Sequence, residues 1–153
     1  MTSKKDLLLL VSLRKNSRET LTRISKATTI PVSTIYDKIR QYQGNLILKH
    51  TTLVDFSSLG YHARTNILIK AQHESREEIK EFLLKHPNVN SVFKISNGFD
   101  FMVEAVFRHV VDVEGFIASL EKRFRIERVE NHYIIEDIKK EAFLSDSQLL
   151  DLV

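Results

Sequence analysis

The spacing of apolar residues changes period near Tyr61, and that change rules out one uniform architecture for the 153-residue chain. Upstream, Leu7, Leu8, Leu10, Val11 and Leu13, then Leu21, Ile24 and Ala27, then Ile35, Ile39 and Tyr42 recur at helical intervals. Downstream, Ala63, Thr65, Ile67, Ile69 and Ala71 alternate with Arg64, Asn66, Leu68 and Lys70, the period of a strand. Helices followed by a mixed run of strands and helices imply two bodies, not one continuous layer.

Within the first fifty residues the signals predict three short helices and no strand. Ser3 and Thr20 stand where side-chain oxygens cap the first two helices. Thr28-Thr29-Ile30-Pro31 breaks the pattern, because proline disfavours helix at the residue before it yet suits a first turn. The third helix runs to about Tyr42 and stops at Gly44-Asn45. Leu46 to Phe56 reads as a linker strand, with turn formers Ser57, Ser58 and Gly60 behind it.

From Ala63 the order is strand, helix, strand, strand, helix, strand. Ser75-Arg76-Glu77-Glu78 has the form of a capping box ahead of Ile79, Phe82 and Leu83. His86-Pro87-Asn88 ends that helix. Val89 to Ile95 and Asp100 to Phe107 form two strands around the tight Asn97-Gly98 connection. Val113, Phe116, Ile117 and Leu120 mark a second helix, and Arg128 to Ile138 a fourth strand. The expected fold class is α+β: an N-terminal three-helix helix-turn-helix plus a C-terminal ferredoxin-like β-α-β-β-α-β domain. The boundaries follow as residues 1–46 for the head, 47–61 for the linker strand, 62–140 for the sheet domain and 141–153 for a tail. In the tail, Ser145 to Val153 suggests a short terminal helix. Leu68, Met102 and Val106 alternate against Ile67, Phe101 and Val103, so both sheet faces carry apolar groups while helices cover one. Face-to-face packing of two sheets in an isologous homodimer would cover the other.

Charge is unevenly placed. Residues 1–50 hold ten Lys and Arg against three acids, a net +7, and residues 51–153 hold thirteen against seventeen, a net −4. A basic head on a mildly acidic body is the asymmetry of a chain whose one end meets a polyanion. No apolar run reaches the roughly 18 residues of a membrane span, and zero cysteines suit either a reducing cytoplasm or a hot one. Six histidines show neither an i, i+4 pair nor metal-ligand spacing. With four glycines there is no phosphate-binding loop, and no nucleophile motif stands out, so neither metal, cofactor nor enzymatic activity is expected.

Two short helices around a tight turn, the second with a hydrophilic outer face, describe a helix-turn-helix. With Ile35, Ile39 and Tyr42 inward, the outward set is Ser33, Thr34, Tyr36, Asp37, Lys38, Arg40 and Gln41. Ser33 and Thr34 fall at the helix amino end, where N–H groups favour phosphate. Tyr36, Lys38, Arg40 and Gln41 can bond bases or phosphates of double-stranded DNA. Arg14, Lys15, Arg18, Arg23 and Lys26 would add sequence-independent contacts. A rival reading of the second domain as an RNA-recognition fold rests on Gly98-Phe99-Asp100-Phe101-Met102. It fails where stacking needs it: Asn97 replaces a basic residue, Glu104 an aromatic, and Thr65 to Lys70 has no aromatic at all.

Taken in order, Thr20-Leu21-Thr22-Arg23-Ile24-Ser25, Ser33 to Arg40, Asp55-Phe56-Ser57-Ser58-Leu59-Gly60-Tyr61, His86-Pro87-Asn88-Val89 and Asn97 to Phe101 resemble the leucine-responsive/asparagine-synthetase-regulator (Lrp/AsnC) family of transcription regulators. The resemblance runs from about Asp6 to Lys139. It implies DNA binding by the head, dimers built on the sheet domain, larger assemblies such as tetramers or octamers, and amino-acid effectors between dimers. The sequence departs from the family pattern at Asp37, where a basic residue is usual, and at Pro31, which replaces a capping serine. By the same resemblance, Gly98, Phe99 and Asp100 lie near the effector, with Asp100 facing an α-amino group and His132 and Tyr133 as further candidates. The other reading of Gly98-Phe99-Asp100 is a plain hairpin turn. The alternative functions are a DNA binder of architectural type without an effector, or a metabolite- or RNA-binding ferredoxin-like module.

Overall fold

Ser3 opens α1 (Lys4–Lys15) with a reciprocal cap. Its hydroxyl accepts from the Asp6 amide at 3.2 Å, and the Asp6 carboxylate accepts from the Ser3 amide at 3.1 Å. The computed structural model describes residues 3–148, which divide into two units: residues 3–53 with 138–148, and Val54–Asp137.

In the first unit, Thr20 caps α2 (Leu21–Thr28) through the Arg23 amide at 3.3 Å. The helix ends on Thr29, which takes the left-handed conformation at φ 58°. Ile30 and Pro31 complete the turn into α3 (Val32–Tyr42). Leu9, Ile24, Ile30 and Ile35 are each at most 2% exposed and pack together, with Leu13, Leu21 and Ile39 around them. Each such burial contributes about 1.5–3 kcal/mol. The segment from Ile138 on is tied to this unit by Arg14, whose guanidinium donates to the Phe143 carbonyl at 2.6 Å and the Glu141 carbonyl at 3.1 Å.

The second unit contains β1 (Ala63–Ala71), α4 (Arg76–Lys85), β2 (Val89–Lys94), β3 (Phe101–Phe107), α5 (Val110–Arg123) and β4 (Ile126–Tyr133). The strands form one antiparallel sheet in the order β2-β3-β1-β4. Alternation along β1 buries Ala63, Thr65, Ile67, Ile69 and Ala71 against Ile79 and Leu83 of α4 and Val113, Phe116 and Leu120 of α5. The ferredoxin-like order expected from sequence is the one present.

Several local expectations are corrected. Ser75 forms no capping box: it closes a 3-10 turn, and its hydroxyl accepts from the Arg125 amide at 3.3 Å instead. The expected linker strand is not a strand, since residues 48–55 have no neighbouring strand in one chain to pair their amides and carbonyls. β4 runs Ile126–Tyr133, ending earlier than expected, and its last ladder bond is Ile134 N to Arg64 O at 2.8 Å. α5 starts three residues early because Asp112 accepts from the His109 amide at 3.0 Å and fastens the first turn. The terminal helix expected over Ser145 to Val153, with Leu149, Leu150 and Leu152, lies mostly outside the described residues.

The sheet face away from the helices is also more polar than expected. Phe93, Met102 and Leu68 line up across three strands as an apolar row. Beside that row, Arg64 binds Asp137 at 2.6 Å and Glu104 at 3.4 Å.

Candidate functional site

On α3 the residues Ser33, Tyr36, Asp37, Arg40 and Gln41 are exposed, and their spacing of i, i+3, i+4, i+7, i+8 places them on one side of the helix. Opposite them, Ile35 is fully buried. The Arg40 guanidinium lies 5.8 Å from the Tyr36 ring centroid, so the cation is steadied by an aromatic face that is itself about half exposed. Pro31 offers no side-chain cap, which leaves the first amides of α3 without an internal acceptor from that residue. Thr34 is half-buried.

Lys38 is placed differently from the outward position expected. Its ammonium binds the Asp6 carboxylate across the unit, with side-chain exposure of 27% and 11%. Lys38 and the Ser3 cap hold the Asp6 carboxyl well below the usual carboxylate range, and Asp6 in turn raises Lys38. Burial, with Asp6 beside it, pushes the Tyr42 phenol up. Lys38 therefore joins α3 to the start of α1. Arg23 stays 76% exposed and, among the described residues, meets only Glu19, at 3.4 Å one turn back. Arg14, expected at phosphates, is engaged with Glu141 and Phe143.

In the sheet unit the β2–β3 connection turns on Asn97 (φ 63°) and Gly98 (φ 96°), and is closed by Ile95 N to Asp100 O at 3.0 Å. Asp100 is drawn inward. Its carboxylate accepts from the Ala71 amide at 2.9 Å and pairs with Arg76 at 3.1 Å and Lys70 at 3.7 Å, with the side chain 13% exposed. Phe99 is half-buried under the Arg128 guanidinium, 5.1 Å from its ring centroid. Three cations thus surround the hairpin tip, and its one carboxylate is already taken by the protein's own donors.

His132 and Tyr133 are not brought to that tip within one chain. They pair with Asn66 and Thr65, whereas the hairpin sits beyond Ile69, four strand residues or about 13 Å away. Successive strand residues point to opposite faces, so the two also diverge. His132 faces Glu130 at 3.5 Å, and the Tyr133 hydroxyl donates to Glu114 at 3.0 Å. Among the described residues no group of three or more His, Asp or Glu is placed to hold a metal ion, and no helix is long and apolar enough to cross a membrane.

A three-helix head with an exposed recognition-type stripe, carried in one chain with a ferredoxin-like domain, defines a helix-turn-helix regulator with a separate ligand-binding domain. The Lrp/AsnC ligand binding domain family matches residues 66–143. An HTH-type transcriptional regulator of Pyrococcus horikoshii is 28% identical over 134 residues, covering 87% of this chain and 90% of its own. In fold, the chain matches a transcriptional regulator–L-Met complex from Neisseria meningitidis with a TM-score of 0.87, 18% identity and full coverage of both chains. LrpC of Bacillus subtilis gives a TM-score of 0.82 at 19% identity, over 91% of this chain and 98% of that one. The chain belongs to the Lrp/AsnC family of transcription regulators.

Proposed function

We propose that two copies of this chain bind double-stranded DNA together, each laying α3 in the major groove of one half of a pseudo-palindromic site. The observation that carries this reading is the exposed stripe Ser33, Tyr36, Asp37, Arg40 and Gln41 on a helix that starts without a side-chain cap. Gln41 and Asp37 have the acceptors and donors to read base edges: a glutamine can bond adenine, and a carboxylate can accept from cytosine N4. Arg40 neutralises a phosphate, and the open amides at the start of α3 suit another. Thr34 and Arg23 flank the stripe. Lys38 acts within the head, holding α3 to α1. Homodimerisation through the Phe93–Met102–Leu68 row supplies the second head, with tetramers or octamers as higher assemblies.

The sheet domain takes an amino acid or related metabolite that biases assembly; the similar Neisseria regulator forms a complex with L-Met. At the hairpin, Gly98, Phe99 and Arg128 would meet the ligand, and Asp100 positions the loop. The chain works as a cytoplasmic regulator and not as an enzyme, in line with the regulators it is similar to.

The test is selection of bound sites from random duplexes, followed by titration of affinity against salt. Arg40→Ala is expected to lower the slope of log affinity against log salt by about 0.9 per half-site, while Gln41→Ala changes the preferred base. A chain with no affinity for duplex DNA at low ionic strength refutes the proposal.

A further inference from the structure

The sheet unit holds a cavity of about 590 Å³ at the end of β3 opposite the hairpin. Phe107 lines it and Asp100 does not; seven strand residues separate the two, about 23 Å along the strand. Its floor is aromatic. Phe107 and Phe116 meet at 5.5 Å between centroids, and His86 meets Phe116 edge-on at 4.7 Å. The His86 Nδ1 accepts from the Asn88 amide at 3.3 Å, and burial lowers the imidazole's affinity for a proton, so a neutral ring completes that floor. Tyr61 forms one wall.

Two opposite charges line the same space. The Arg108 guanidinium lies 5.1 Å from the Tyr61 ring centroid and pairs with no carboxylate among the described residues. Asp112 accepts the His109 amide on one oxygen and pairs with no cation among them. The two are not paired with each other. Above the cavity α5 presents Val111, Gly115 and Ser119, one turn apart. A Cβ added at Gly115 meets nothing within 4 Å. Glycine inside a helix lowers its stability relative to alanine, and here neither crowding nor a positive φ requires it. What it leaves is room.

We infer that this cavity binds a small zwitterion, an α-amino acid with an apolar or aromatic side chain. Its carboxylate takes the open N–H edge of Arg108, its ammonium takes the second oxygen of Asp112, and its side chain lies on Phe107, Phe116 and His86. A volume of 590 Å³ is in the range of small-molecule pockets, and an apolar floor with a few fixed polar groups is their usual make-up. The site is separate from the hairpin and does not depend on the effector reading given to Gly98 and Phe99.

The test is a thermal-shift and NMR titration of the full chain with each of the twenty L-amino acids. Apolar or aromatic amino acids are expected to raise the melting temperature and move the amide signals of Arg108 to Ser119. The matching amine without carboxylate and acid without amine should do neither. Arg108→Gln is expected to weaken the best ligand roughly ten- to hundredfold, the effect of one charge-assisted pair. Gly115→Met, which fills open space on a helix it also favours, is expected to abolish binding. The inference is overturned if no amino acid moves the Arg108 to Ser119 signals, or if those movements survive both substitutions. It is equally overturned if the only signals that move are those at Asn97 to Asp100, the hairpin proposed above for the effector. DNA binding by the same samples is scored separately, so the two proposals fail independently.

Discussion

Replacing Asp100 with alanine separates two roles for the hairpin acid, because its surroundings assign it to the fold. The carboxylate is the acceptor for the amide of Ala71, a residue with no exposed surface. Without it, that amide is buried and unpaired, and a hydrogen bond to a charged group is worth about 1.5–3 kcal/mol. The pairs with Arg76 and Lys70, whose side chains are 38% and 30% exposed, add at most about 1 kcal/mol together after solvent screening. Asp100→Ala should therefore destabilise the sheet unit by about 3 kcal/mol, on the order of a hundredfold in its folded-to-unfolded ratio. For a unit of this size that lowers the melting temperature by roughly 12 °C or more. Asp100→Asn keeps an oxygen for Ala71 and should cost about 1 kcal/mol. Calorimetry on both variants, with Arg76→Gln to close a double-mutant cycle, measures the terms. Should Asp100→Ala unfold within about 0.5 kcal/mol of the parent, the carboxylate is not an anchor, and the acid is free for a ligand.

Two further outcomes follow from the local chemistry. Asp6 has a depressed pKa in the folded head, so its contribution is present above the ordinary carboxylate value of about 4 and is lost as pH falls through the lower folded value. The stability difference between parent and Asp6→Asn, followed by far-UV circular dichroism, should accordingly shrink as pH drops below about 4, and a constant difference from neutral to acid pH would contradict the Lys38 tie. Gly98→Ala should cost about 1–2 kcal/mol in urea unfolding with an unchanged m-value, because space is open at that position and only the φ of 96° resists a side chain; a loss under about 0.3 kcal/mol would show that the turn rearranges freely.

Periodicity revealed the elements that owe their form to one buried face. β1, with its strict alternation from Ala63 to Ala71, and α3, with Ile35 and Ile39 inward, were legible because their burial is decided within a few neighbouring residues. What escaped depends on partners distant in sequence. Nothing around Ser75 says that its hydroxyl serves Arg125, fifty residues later, and not its own helix. Residues 48–55 have strand-forming composition, but a strand also needs a neighbour, and sequence spacing does not supply one. Asp100 reads as a turn former, while its acceptor duty to Ala71 is set by strand pairing across the sheet.

The same distinction changes how the head's charge is to be used. Ten cations in the first fifty residues suggest a dense phosphate-binding surface. Yet Lys38 is committed to Asp6, Arg14 to Glu141 and the Phe143 carbonyl, and Arg23 leans on Glu19. A cation already paired within the protein displaces no counterion from DNA unless that pair breaks, so each such commitment removes about 0.9 from the salt slope a simple count would give. Sequence charge therefore points to the head as the end proposed to meet DNA, but it overstates how strongly that meeting should depend on salt. On the proposed reading, the interaction then falls to the exposed stripe on α3, with Arg40 as its steadied cation, and to Lys15, Arg18 and Lys26, which are exposed and form no ion pair among the described residues.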